Sequence, residues 1–130
     1  MSKGRILVIE DNVDNYQLVR FILEQYGYET FLAVSGLEGV EAARIQSPDL
    51  ILLDLALPEM DGWEVAQRLK ADPRTAPIPV VALTARTLPV DRQRALEAGC
   101  ADFITKPIDI GALLRIVERQ LKSARGRESG

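Results

Sequence analysis

Five polar residues stand where apolar runs end. Glu10 and Asp11 follow Arg5–Ile9, Asp54 follows Leu50–Leu53, Thr84 follows Ile78–Leu83, and Lys106 follows Asp102–Thr105. An aspartate can act as a nucleophile and form an aspartyl-phosphate. Phosphoryl transfer leaves little covalent work to the protein and depends on charge neutralisation. A divalent cation, a lysine and a hydroxyl donor supply it, and Lys106 and Thr84 are the candidates for the last two. Glu10, Asp11 and Asp54 would repel one another if they met, and each would raise the others' pKa. A divalent cation resolves that conflict. Oxygen donors without histidine or cysteine point to Mg²⁺. The chain has one cysteine, Cys100, and no histidine. That excludes an internal disulfide, imidazole ligands, a histidine-based triad and a phosphohistidine on this chain.

Taken singly, these residues have plainer accounts. Glu10 and Asp11 could cap a helix or open a turn. Thr84 could be a strand-forming residue that bonds local backbone. Lys106 could be a solvated lysine, although Pro107 restricts it to an extended conformation and fixes its direction. Their convergence depends on the elements that carry them.

Leu50 to Leu53 is a continuous aliphatic run, the signature of a strand covered on both faces in a parallel sheet. It places Asp54 at the carboxyl end of a central strand, where open α/β sheets bind ligands. Pro58 and Gly62 then turn the chain. Arg5–Ile9, Tyr28–Val34, Asp49–Asp54, Ile78–Leu83 and Asp102–Thr105 read as five strands. Pro79 suits the start of the fourth. Five helices alternate with them, over 12–26, from Ser35 to Ser47, and over 62–71, 89–98 and 109–122. Val19, Ile22, Leu23 and Tyr26 form one buried face of the first helix, and Gly27 closes it. Ser35 and Glu38 form a capping box for the second, which carries Leu37, Val40 and Ala43 inward. Asp61 caps the third. The fourth has only Ala95, Leu96 and Ala98 as apolar surface and is expected to be weakly anchored. The fifth uses Leu113, Ile116, Val117 and Leu121. Alternation with short loops means an α/β fold with helices on both faces of a five-stranded parallel sheet. Strand order 2-1-3-4-5 is one common solution. In that order the ends of strands one, three, four and five are neighbours, and the five polar residues converge.

The length of 130 residues suits one domain, expected over residues 1–122 with a flexible polar tail at 123–130. A net charge of −3 does not favour binding to nucleic acid. No apolar run approaches membrane-spanning length, and the start lacks the form of a signal peptide, so a cytoplasmic location is expected.

The set Glu10-Asp11, Asp54 in its Leu-Pro-Glu-Met-Asp-Gly context, Thr84-Ala85 and Lys106-Pro107 resembles the receiver domain of two-component response regulators, the CheY-like family. The resemblance covers about residues 4 to 122 and extends to stand-alone, DivK-like members. It implies a flavodoxin-like (βα)5 fold. By position it implies Asp54 as phospho-acceptor, with Mg²⁺ held by Asp11, Asp54 and the backbone carbonyl of Ala56, and by Glu10 mainly through water. Thr84 and Lys106 would contact the phosphoryl oxygens, the Lys106–Pro107 peptide would be cis, and Phe103 would be the switch aromatic. The implied partners are a sensor histidine kinase or histidine phosphotransfer protein and a downstream effector. Glu10 stands where many members carry aspartate, and Ala56 and Arg86 occupy positions that tune phosphoryl lifetime. A receiver cut from a hybrid kinase would look the same.

The resemblance implies a self-phosphorylating switch rather than a turnover enzyme. A dehalogenase-type phosphatase would need an acid two positions after its nucleophile, where this chain has Ala56. A flavodoxin-like FMN protein would need a Ser/Thr/Gly-rich loop after strand one, where this chain is acidic. A receiver that binds partners without phosphorylation is opposed by the complete set of site residues.

Overall fold

The structure, a computed structural model, describes residues 2–57, 60–85 and 89–129. Pro58, expected to turn the chain after the third strand, lies outside the described residues, as does Arg86.

Each apolar run becomes a strand and each amphipathic segment a helix. The order is β1 (Arg5–Ile9), α1 (Val13–Gln25), β2 (Glu29–Ala33), α2 (Gly36–Gln46), β3 (Leu50–Asp54), α3 (Gly62–Ala71), β4 (Val80–Thr84), α4 (Pro89–Glu97), β5 (Asp102–Thr105) and α5 (Ile110–Ser129). The strands are parallel, in the order β2-β1-β3-β4-β5. This is the expected flavodoxin-like topology.

The two-residue period of the strands sorts their side chains into two cores. Leu7, Ile9, Ile51, Leu53, Val80 and Ala82 face the side covered by Ala43 of α2, Trp63, Val65, Ala66 and Leu69 of α3, and Ala95 of α4. Ile6, Val8, Leu50, Leu52, Val81 and Leu83 face the side covered by α1 and α5 through Val19, Ile22, Leu23, Leu113, Val117 and Leu121. Leu50 to Leu53 are fully buried. Each such side chain contributes about 1.5–3 kcal/mol relative to an exposed one. A strand buried this completely has a fixed register, because a one-residue slip would exchange its faces.

Three side chains depart from expectation. Tyr26 is exposed because it is the C-cap of α1 and its backbone has already left the helix, with φ −103° and ψ 13°. Leu37 is exposed because α2 approaches β1 on its small residues: Gly36, Gly39 and Ala43 are buried. A Cβ at Gly39 would lie 2.5 Å from Ile9 Cδ1. Leu96 of α4 also points outward, leaving Ala95 and Ala98 as the buried contacts among the described side chains here. Both N-cap side chains act as expected. Ser35 accepts from the Glu38 N–H and Asp61 from the Trp63 N–H. β4 begins at Val80, since Pro79 lacks an N–H, but the Pro79 carbonyl still accepts from Ile51 N at 3.0 Å. α5 continues past Lys122, so the segment expected as a tail has helical backbone to Ser129.

Candidate functional site

Parallel strands deliver their carboxyl ends to one edge. β1 pairs with β3 so that Ile9 lies opposite Leu53, which makes the next residues, Glu10 and Asp54, neighbours. Asp54 lies opposite Leu83, and Thr84 opposite Thr105, so Lys106 follows at the same level. Two backbone bonds extend this alignment past the strands: Leu55 N to Leu83 O at 3.1 Å and Lys106 N to Thr84 O at 2.7 Å. The Lys106–Pro107 peptide is cis.

Glu10 is buried at 2% exposure. Its Oε1 accepts from Asn15 Nδ2 at 2.7 Å, while its Oε2 has no hydrogen-bond partner among the described residues. The cap of α1 falls to Asn12, whose Oδ1 accepts from Asn15 N, so Glu10 and Asp11 are not used for capping. Asp54 is buried at 3% exposure. Its Oδ1 accepts from the Ala56 N–H at 2.9 Å and its Oδ2 from Lys106 Nζ at 3.1 Å. One carboxylate oxygen each from Glu10, Asp11 and Asp54 lies within 4.8 Å of the others.

These acids disagree electrostatically. Burial, reinforced by Asp54, pushes the Glu10 pKa up to about 8. Burial also works against Asp54 ionising, but bonds from Glu10, the Ala56 N–H and Lys106, with the lysine's charge, outweigh it and lower its pKa. The unbonded Glu10 oxygen is consistent with this. Two ionised carboxylates cannot hydrogen-bond each other, so without a cation this oxygen can bond to Asp54 only when Glu10 carries a proton. A divalent cation removes the conflict without a proton. The orphaned Glu10 oxygen, the three convergent carboxylates and the all-oxygen donor set fit Mg²⁺.

A cavity of about 430–440 Å³ lies on each side of this cluster. One is polar and is lined by Asp54, Ala56, Thr84 and Lys106, together with Trp63 of α3 and Arg94 of α4. The other is apolar, bounded by Leu18, Val19, Leu83 and Ile108 with Glu10 and Lys106 at its rim. Phe103 stands apart. It is half-buried against the core and lines a separate groove with Ile104 and Ile116.

Three participants escaped the sequence. Asn15 lies one helical turn after Asn12, a spacing that could have suggested its reach back to Glu10. Trp63, the single tryptophan, directly follows Gly62 in the run after Asp54. Nothing local marks Arg94, which reaches the cavity only through the packing of α4.

Fold and site together define a flavodoxin-like α/β domain with an acidic pocket at the carboxyl edge of its sheet, built around a buried aspartate. The response regulator receiver domain family matches residues 6–118, and the chain belongs to that family, a family of signalling proteins rather than turnover enzymes. The polar-differentiation response regulator DivK of Brucella ovis is 40% identical over 124 residues, covering 95% of this chain and 100% of that protein. The receiver domain of the sensor histidine kinase PA1611 from Pseudomonas aeruginosa, solved with a magnesium ion in its active-site cleft, is 34% identical. Its TM-score is 0.84, over 92% of this chain and 98% of that one. The signal receiver domain of a histidine kinase from Syntrophus aciditrophicus is 40% identical with a TM-score of 0.85, over 92% and 91% of the two chains. Membership of the family implies a histidine kinase as partner. No helix among the described residues is long and apolar enough to cross a membrane.

Proposed function

We propose that Asp54 accepts a phosphoryl group from a phosphohistidine on another protein, a sensor kinase or a histidine phosphotransfer protein. A carboxylate oxygen of Asp54 forms the new O–P bond as the P–N bond to the donor imidazole breaks, and the imidazole leaves and takes up a proton from solvent. The donor is external because this chain has no histidine. Mg²⁺, held by Glu10, Asp11, Asp54 and the Ala56 carbonyl, supplies charge neutralisation when bound. Lys106 follows the developing charge from the Asp54 oxygen it already contacts, and Thr84 offers a hydroxyl on the cavity wall. The observation that carries this reading is the buried Asp54 carboxylate, bonded by Lys106 and flanked by Asp11 and by Glu10, one of whose oxygens is unpaired among the described residues.

The added charge draws Thr84 and the chain after it toward the phosphoryl group, and Phe103 turns inward behind them. The face of α4, β5 and α5 then changes its affinity for a downstream effector protein. Among its described side chains α4 buries only Ala95, so a modest energy suffices to bias it between arrangements. The protein acts in the cytoplasm, without contacting nucleic acid or membrane. Radiolabelled acetyl phosphate with Mg²⁺ tests the acceptor: the wild-type chain is expected to take up label and Asp54→Asn to take up none. Label retained by Asp54→Asn refutes the assignment.

A further inference from the structure

Arg94 of α4 shares the wall of the polar cavity with Asp54, Thr84 and Lys106, yet the mechanism above gives it no task. Its guanidinium lies over the Trp63 ring, with Cζ 5.0 Å from the centroid. Its Nη2 donates to Asp61 Oδ2 at 3.4 Å. Charge-assisted bonds of this kind are ordinarily about 2.7–2.9 Å, so the contact is loose. Both side chains are about half exposed, and exposed ion pairs contribute little to stability. The other oxygen of Asp61 caps α3 by accepting from Trp63 N at 2.9 Å. Asp61 keeps that bond if Arg94 leaves, and the helix N-terminus already offsets part of its charge. Trp63 is buried at 6% exposure and forms a fixed platform. Arg94 is therefore held on one side by a firm apolar surface and on the other by a weak, replaceable anion.

The charge of the cavity supplies the replacement. One lysine and a divalent ion balance three ionised carboxylates. Converting Asp54 to an acyl phosphate exchanges a single carboxylate charge for about −1.5 to −2, leaving the pocket net negative. Among the described residues lining the cavity, Lys106 and Arg94 are the cations, and Lys106 is already bonded to Asp54. A guanidinium presents a planar fork of donors suited to phosphoryl oxygens.

We propose that Arg94 is a second cationic contact for the phosphoryl group on Asp54, reached by exchanging Asp61 for that group while the guanidinium stays over Trp63. This rests on Asp54 being the acceptor. The exchange couples the charge at β3 directly to α4, independently of Thr84.

Beryllofluoride with Mg²⁺ is the probe, and the fluorescence of Trp63, the single tryptophan, is the readout. Arg94→Ala and Arg94→Gln are expected to raise the half-saturating beryllofluoride concentration about tenfold, the effect of losing one hydrogen bond between charged groups. Asp61→Asn retains a capping side chain and releases Arg94, so it is expected to lower that concentration. If Arg94 and Asp61 served only to clasp α4 to α3, both substitutions would shift binding in the same direction, and that result overturns the proposal. An unchanged midpoint in Arg94→Ala, alongside a wild-type response that Asp54→Asn abolishes, overturns the Arg94 contact alone. A wild-type chain that gives no response overturns the acceptor assignment itself.

Discussion

Glu10 has one oxygen on Asn15 and, among the described residues, no partner for the other. In the absence of metal it holds a proton over a range where an exposed glutamate would be ionised, because burial and Asp54 push its pKa up to about 8 from 4.5. Between those values the unfolded chain binds fewer protons at this position than the folded one. Raising the pH across that window therefore favours unfolding. The contribution of Glu10 is fully present below pH 4.5 and lost by about pH 8. Asp54, whose pKa is lowered from 3.8, acts only at more acidic pH. In EDTA the Tm is expected to fall as pH rises from 5 to 8, and Mg²⁺ is expected to restore more of it at pH 8 than at pH 5. Glu10→Gln should flatten that slope. Differential scanning fluorimetry with and without Mg²⁺ checks both, and a metal-free Tm that rises across this window refutes the Glu10 account.

At the scale of elements, the site depends on how closely helices approach the strands that end in it. A Cβ at Gly62, the first residue of α3, would lie 2.5 Å from the Cα of Leu55, the residue after Asp54. Backbone cannot yield as a side-chain end can. Gly62→Ala is expected to lower stability by about 1–3 kcal/mol, in the range of overpacking, and to weaken Mg²⁺ binding because Asp54 and Ala56 flank the displaced residue. Gly39→Ala presses instead on the buried, branched Ile9 side chain, with Cδ1, Cγ1 and Cγ2 at 2.5, 2.8 and 3.0 Å from the new Cβ, so it is expected to cost stability comparably but to leave metal affinity less affected. Chemical denaturation and a Mg²⁺ titration of both variants separate the two effects. Equal losses of metal affinity would contradict the distinction.

The molecule as a whole reports its integrity through Cys100. The thiol is buried at 5% exposure, and burial pushes its pKa up to about 11. The folded chain is expected to resist alkylation by iodoacetamide at pH 8, and the chain in urea to react readily. Mass spectrometry over time checks this. Modification of the native protein at the unfolded rate would mean that the packing around α4 and β5 is looser than described. Loss of this thiol's proton destabilises the fold only at alkaline pH, from about 9 upward through the folded value of about 11.

Runs such as Leu50–Leu53 and Ile78–Leu83 were enough to establish a parallel sheet, because a strand buried on both faces can be built only from uninterrupted apolar residues. That Glu10, Asp11, Asp54, Thr84 and Lys106 meet at one edge was legible for a similar reason: charges and hydroxyls at strand ends are conspicuous against such runs, and parallel strands deliver their ends together. The outward turn of Leu37 and Tyr26 was not legible. It follows from which side of α2 is small enough to reach Ile9 and from where the backbone of α1 departs from helix. Nor could local pattern reveal the unpaired oxygen of Glu10, the bond from Asn15, or Arg94 over Trp63. Those are relations between residues distant in the chain or on different turns, and their distances exist only once helices have packed against the sheet.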